Sequence, residues 1–267
     1  MIPGERTKAS ISDLVADLAA AGRYHFTTEE ATKALGTSPV ATRAALRRIV
    51  RRKIVATPQR GFHVILPPEY RRLGCLPPEQ FVPQLMASGG LAYYVGLLSA
   101  AQYHGAAHQR PQQFQVMVGR NRPPISCGEV RIAFIARKLV ERVPVIRLNT
   151  PRGSVRVATP EATALDLVGY PSHAGGLDGA ATVLADLAER IDPAKLTAAA
   201  RVAPLSWAQR LGYLLELVGA GERTEALAAY VGERAREYVP LATGAGRGRD
   251  RSARWRVVVN AAVEAEA

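Results

Sequence analysis

Between Phe26 and Leu66 the order of caps, stops and apolar positions leaves this chain little freedom in its local fold. Thr28 is expected as the N-cap of a helix, with Glu29 and Glu30 in the first turn, where the helix dipole favours acidic side chains. Gly36 stops that helix by adopting a left-handed backbone. Ser38 then caps a second helix, and Pro39 takes its first position, where no amide donor is missed. Two helices joined by a short Gly-containing turn predict a helix-turn-helix.

The second helix has two faces. Ala45, Leu46, Ile49 and Val50 fall at helical spacing and turn inward. Arg43, Arg47 and Arg51 fall at i, i+4 and i+8 on another face, with Arg48 and Arg52 beside them. A guanidinium suits phosphates and the O6/N7 edge of guanine, and a helix fits the major groove. Ile54 to Leu66 then reads as two short strands around a turn with Arg60 at its tip, which completes a winged helix-turn-helix. An Arg-rich helix face can also be no more than a solvated face that keeps a protein soluble. The joint occurrence of caps, turn, inward stripe, outward stripe and basic tip favours DNA. Thr37, Ser38, Arg43, Arg47, Arg48, Arg51 and Arg60 are the candidate DNA-contacting residues.

Charge supports a polyanionic partner. The chain of 267 residues has a formal net charge of +12 and a pI near 10.2. Residues 1–72 hold 13 Lys and Arg against 6 Asp and Glu, residues 73–160 hold 10 against 3, and residues 161–267 hold 12 against 14. The basic surface therefore extends beyond the helix-turn-helix into the middle of the chain. Cys75 and Cys127 belong to no CxxC, and no signal peptide precedes them, so two free thiols in a cytoplasmic protein are expected. The longest apolar stretch, Leu91 to Ala101, is too short to span a bilayer and reads as a buried helix.

Ile11, Leu14, Val15 and Leu18 predict a first helix over Ile11 to Ala21, after a polar and frayed segment 1–10. Proline pairs at Pro67-Pro68 and Pro77-Pro78 mark a boundary. Helices are expected over Pro78–Ala87 and Leu91–Tyr103, and strands over 113–118, 130–135, 143–148 and 154–158. Thr159-Pro160 starts another helix, and four more follow near 177–190, 193–202, 205–218 and 223–235. Residues 244–254 read as flexible and basic, and Trp255 to Asn260 as a last strand. The fold class is α+β: an N-terminal winged helix-turn-helix over 1–70, then an α+β domain over 77–243 with a small, mostly antiparallel sheet and a C-terminal helical bundle, then the segment 244–267.

The run Tyr93-Tyr94-Val-Gly-Leu-Leu-Ser99-Ala-Ala-Gln-Tyr103-His104-Gly105 resembles the Tyr-x-x-x-x-x-Ser-Ala-x-x-x-His-Gly segment of the AbiEi family, antitoxins of bacterial type IV toxin–antitoxin systems. Val157 to Leu167, ending in Leu165-Asp166-Leu167, is similar to that family's strand-to-helix stretch, and Gly175-Gly176-Leu177 and Ile191 to Leu196 to its bundle. The resemblance covers roughly residues 12–230. It implies a winged helix that binds inverted repeats in its own promoter and represses it, as a dimer on DNA. It also implies a second domain that counteracts a cognate nucleotidyltransferase-like toxin. The alternatives are an antitoxin acting as an atypical kinase, and a regulator with no toxin partner.

No catalytic motif is found: no Ser/His/Asp triad, kinase loop or Walker sequence. His104 and His108 have i, i+4 metal-like spacing, but Gly105 weakens the helix between them and no third ligand is near, so no metal is expected. Gly244-Ala-Gly246-Arg-Gly248 lacks the strand and helix that would build a phosphate cradle, and no cofactor is expected. Asp166 is expected as a cap or buried polar anchor, and Ser99 as a packing residue.

Overall fold

The computed structural model describes residues 10–106, 111–246, 248 and 250–265. Most of the polar N-terminal segment and His108 lie outside them, as do two residues of the Gly/Arg-rich stretch. Two compact units divide the chain. The first comprises residues 1–91, 122–134 and 148–155, and the second 92–121, 135–147 and 156–267. The division does not coincide with the proline-marked boundary between 70 and 77, because segments remote in sequence return to pack with the N-terminal elements.

The first unit opens with α1 (Ile11–Ala20), β1 (His25–Thr27), α2 (Thr28–Leu35), α3 (Pro39–Arg51), β2 (Val55–Gln59) and β3 (Phe62–Ile65). Its sheet is antiparallel in the order β1-β3-β2, with Phe26 opposite His63. Phe26 and Ala31 are fully buried, and Ile11, Val15, Leu35, Leu46, Ile49, Val55 and Ile65 close around them. Full burial of one large apolar side chain contributes about 1.5–3 kcal/mol. Leu14, Leu18, Ala45 and Val50 pack partly against that core, as their spacing predicts.

Further along, α4 (Val82–Ser88) belongs to the same unit. It is shorter than expected because Pro78–Gln80 forms a separate 3-10 turn. Leu91–Tyr103 is not one helix. It splits into β4 (Tyr93–Val95) and α5 (Leu97–Tyr103). Gly96 breaks it with an extended backbone, and Met117 lies where a Cβ would project. In the second unit β4 pairs antiparallel with β5 (Phe114–Val118). The hairpin of β6 (Ile125–Cys127) and β7 (Val130–Ala136) follows, and β6 was not foreseen. Gly128 turns it at φ +56°, where a Cβ would run into the Leu73 carbonyl and Gly74. The Glu129 amide donates to Leu73 O at 2.8 Å, which ties this hairpin to the N-terminal segment of its own unit.

Strands β8 (Val145–Thr150) and β9 (Gly153–Ala158) form the next hairpin. Arg152 at its turn lies 3.8 Å over the Tyr24 ring, and its carbonyl accepts from Gln84 at 3.2 Å, all within the first unit. Val157 of β9 pairs parallel with Val95, so the sheet is mixed.

The helices are α6 (Pro160–Gly169), α7 (Gly176–Ala188), α8 (Pro193–Ala200), α9 (Leu205–Leu217) and α10 (Glu225–Arg234). Thr159 and Asp192 cap α6 and α8 as expected. The expected last strand is present as β12 (Val257–Val259), which forms a small sheet with β10 (Val239–Pro240) and β11 (Asp250–Ser252). Part of the segment expected to be flexible is thus an ordered strand, paired with β12 and adjoining the fully buried Trp255.

Candidate nucleic-acid interface

Thr27, not Thr28, is the N-cap of α2. Its extended backbone (ψ 159°) lets its hydroxyl accept from the Glu30 amide at 3.1 Å, while Glu30 accepts the Thr27 amide at 2.7 Å. Partial burial works against ionisation of Glu30, but hydrogen bonds from Arg23 and Thr27 outweigh it and hold its pKa below the ordinary value. Thr28 has entered the helix, and its hydroxyl lies 2.8 Å from His63 Nε2. The other ring nitrogen of His63 lies 3.0 Å from the Thr57 hydroxyl on β2. The imidazole is almost wholly buried and stacks on Phe26 at 5.2 Å. Burial lowers its pKa, so the neutral ring clips the start of α2 to the wing. Spacing alone gave no signal for this clip, because its three residues lie far apart in sequence.

Gly36 ends α2 at φ 59°, ψ 30°. Ser38 Oγ accepts from the Ala41 amide at 3.2 Å, and Pro39 stands at the first helical position. Thr42 is fully buried, with its hydroxyl 2.9 Å from that of Thr37 and donating to Ser38 O at 3.1 Å. The structure therefore gives the hydroxyls of Thr37 and Ser38 work in building the turn, while Ser38 stays exposed and Thr37 half-buried.

Leu46 and Ile49 bury one side of α3. Arg43, Arg47, Arg48, Arg51 and Arg52 are exposed on the rest, and Arg60 is exposed in the two-residue turn beside Gly61 (φ 84°). Among the described residues none of these arginines has a carboxylate within ion-pair distance or a side-chain hydrogen-bond acceptor. The surface carries uncompensated cations on a rigid helix about 20 Å long, at 1.5 Å per residue. Val40, 65% exposed in the first turn of α3, is an apolar side chain on this surface that the sequence did not single out. It lies outside the inward stripe, and its methyls suit the C5-methyl of thymine.

Cys75 is buried and Cys127 half-buried, both as free thiols in the first unit. A hydrogen bond between them raises the pKa of Cys75. Among the described residues no cluster of three metal-ligating side chains occurs, and no helix is long and apolar enough to cross a membrane.

In the second unit Ser99, expected as a packing residue, is buried, and its Oγ accepts from the Gln115 amide at 2.9 Å. Asp166 is a buried anchor, not a cap. The Tyr94 hydroxyl donates to its carboxylate at 2.9 Å, and Arg137 donates to both that carboxylate and, at 2.7 Å, the Tyr94 oxygen. Burial pushes the Asp166 carboxyl up to about 6 against the opposing pull of Arg137.

Fold and site together define a two-part α+β protein: a helix-and-wing unit whose cationic face has no ion-pair partner among the described residues, and a mixed-sheet and helical-bundle unit. Residues 94–217 match the family model of the AbiEi antitoxin C-terminal domain. A solved structure, that of the RV2827C protein from Mycobacterium tuberculosis, is similar in fold, with a TM-score of 0.67 and 19% identity over 92% of this chain and 89% of that one. Comparison with curated proteins found no match.

Proposed function

We propose that this chain is a DNA-binding antitoxin. Its N-terminal elements work as a winged helix-turn-helix that represses its own promoter, and its AbiEi domain counteracts a nucleotidyltransferase-like toxin. The observation that carries the DNA reading is the face of α3. Arg43, Arg47 and Arg51 stand in line, exposed and unpaired, on a helix held by a capped turn and a dry core. Arginine in a major groove pairs with guanine or phosphate, and Arg60 on the wing adds a backbone contact. An inverted-repeat operator would be read by two copies, with half-sites about one helical turn apart. The match of residues 94–217 to the AbiEi antitoxin domain supports the reading of a toxin partner.

The test is binding of the full chain to the DNA upstream of its own gene and to a scrambled duplex across a salt series. Selective binding that weakens on Arg47→Ala by about 1–3 kcal/mol supports base reading. Equal binding to both duplexes, falling steeply with salt, would leave only generic charge. Co-expression with the neighbouring toxin gene tests the second half, since loss of protection from growth arrest should follow deletion of the AbiEi domain.

A further inference from the structure

The second unit contains a cavity of about 770 Å³ at the end of β7 and the start of α9, and none of the residues assigned above to DNA lines it. That size is in the range of small-ligand sites. Its lining has a distinct chemistry. Arg120, Lys138 and Arg201 are exposed cations on its walls, and Tyr170 and Trp207 meet edge-on there with centroids 5.2 Å apart. Leu139 is 52% exposed at the rim. No Asp, Glu, His or Cys is among the lining residues, so the charge of the lining favours an anion.

A further observation points to a ligand with a flat ring: the aromatic wall is held in place. Arg137, fixed from behind by Asp166, lies 5.2 Å over the Trp207 ring, and Gly169 leaves the space the ring occupies, since a Cβ there would stand 2.5 Å away.

We propose that this cavity binds a nucleotide unit, its base against Tyr170 and Trp207 and its phosphates against Arg120, Lys138 and Arg201. The same unit could come from a free mononucleotide or from the phosphorylated end of a single strand.

Tryptophan fluorescence reads the site directly. The chain has two tryptophans, and Trp255 is fully buried, so a ligand-induced change reports Trp207. The full chain is titrated with AMP, ATP, inorganic pyrophosphate and a short 5′-phosphorylated single strand. The expected result is a saturable change with a nucleotide, weakened at least tenfold by Arg120→Ala with Lys138→Ala at unchanged Tm. The Arg43→Ala, Arg47→Ala variant should keep the change, because those side chains belong to the other unit. Saturation by mononucleotides identifies the free species, and saturation by the strand alone identifies a strand end. The proposal is overturned if no nucleotide or strand gives a saturable change by fluorescence or calorimetry. It is equally overturned if pyrophosphate binds as tightly as ATP, or if the cation variant binds unchanged.

Discussion

Removing the carboxylate of Asp166 should unfold much of the second unit's stability, and the size of the effect follows from three buried side chains. Tyr94 and Asp166 are fully buried and Arg137 is 4% exposed. In Asp166→Ala the guanidinium loses its counter-charge, and the Tyr94 hydroxyl loses the acceptor 2.9 Å away. Breaking a buried pair by removing one partner costs about 3–5 kcal/mol, because the remaining charge stays buried and uncompensated. Against a total of about 5–15 kcal/mol for a typical domain, that is a large share. Thermal and urea unfolding of the full chain at pH 7 should show a Tm lower by roughly 6–20 °C for a unit of this size. The double variant Arg137→Met, Asp166→Leu removes both charges and should recover most of the loss. The pH dependence adds an independent check. The carboxyl of the folded chain is pushed up to about 6 from an ordinary value of 3.8, so the folded state binds the proton more tightly. Its contribution is full below 3.8 and is lost as pH rises through 6. Asp166→Ala should lack that slope in this window. A cost below about 1 kcal/mol, or a double variant as unstable as the two single variants added together, would refute the reasoning.

Thr27→Ala should destabilise the first unit by about 1 kcal/mol in urea unfolding through loss of the α2 cap. Burial lowers the pKa of His25, His63 and His104 below the ordinary 6.5, so stability should be full above pH 6.5 and fall on acidification below it, and His63→Gln should flatten that fall. Gly128→Ala sets a methyl against the Leu73 carbonyl at a positive φ, and limited proteolysis should find the first unit opened, whereas Gly232→Ala, with open space around it, should be resistant. Arg47→Ala should weaken binding to the upstream DNA without moving Tm, because the side chain is exposed and has no partner among the described residues.

Local signals carried the elements whose cause is local. Ser38-Pro39, Thr159-Pro160 and Asp192-Pro193 start their helices where cap and proline say they should. The one-residue error at Thr27 arose because two adjacent threonines are chemically equal as caps, and only the backbone of β1 decides between them. Strand β4 was illegible because Tyr93, Tyr94 and Val95 are all buried, and an apolar run buried on both faces shows no period. The cluster of Tyr94, Arg137 and Asp166 draws on three segments that only the mixed sheet and α6 bring together, so no spacing rule could list it. The cavity escaped notice for the same reason: its cations come from three separate segments of the chain.

The first unit takes its chain from three stretches, residues 1–91, 122–134 and 148–155, and the second unit from the stretches between and after them. During synthesis the ribosome therefore releases the helices of the cationic face long before the hairpins that finish their unit. Glu129 and Arg152, which fasten those hairpins to Leu73 and Tyr24, emerge some fifty to more than a hundred residues after their partners. Closing such distant contacts costs chain entropy and slows folding. Neither unit can be completed and set aside before the other has begun, so a nascent chain stopped short of residue 155 leaves both unfinished. Production of the working protein is thereby tied to translation of well over half of its message.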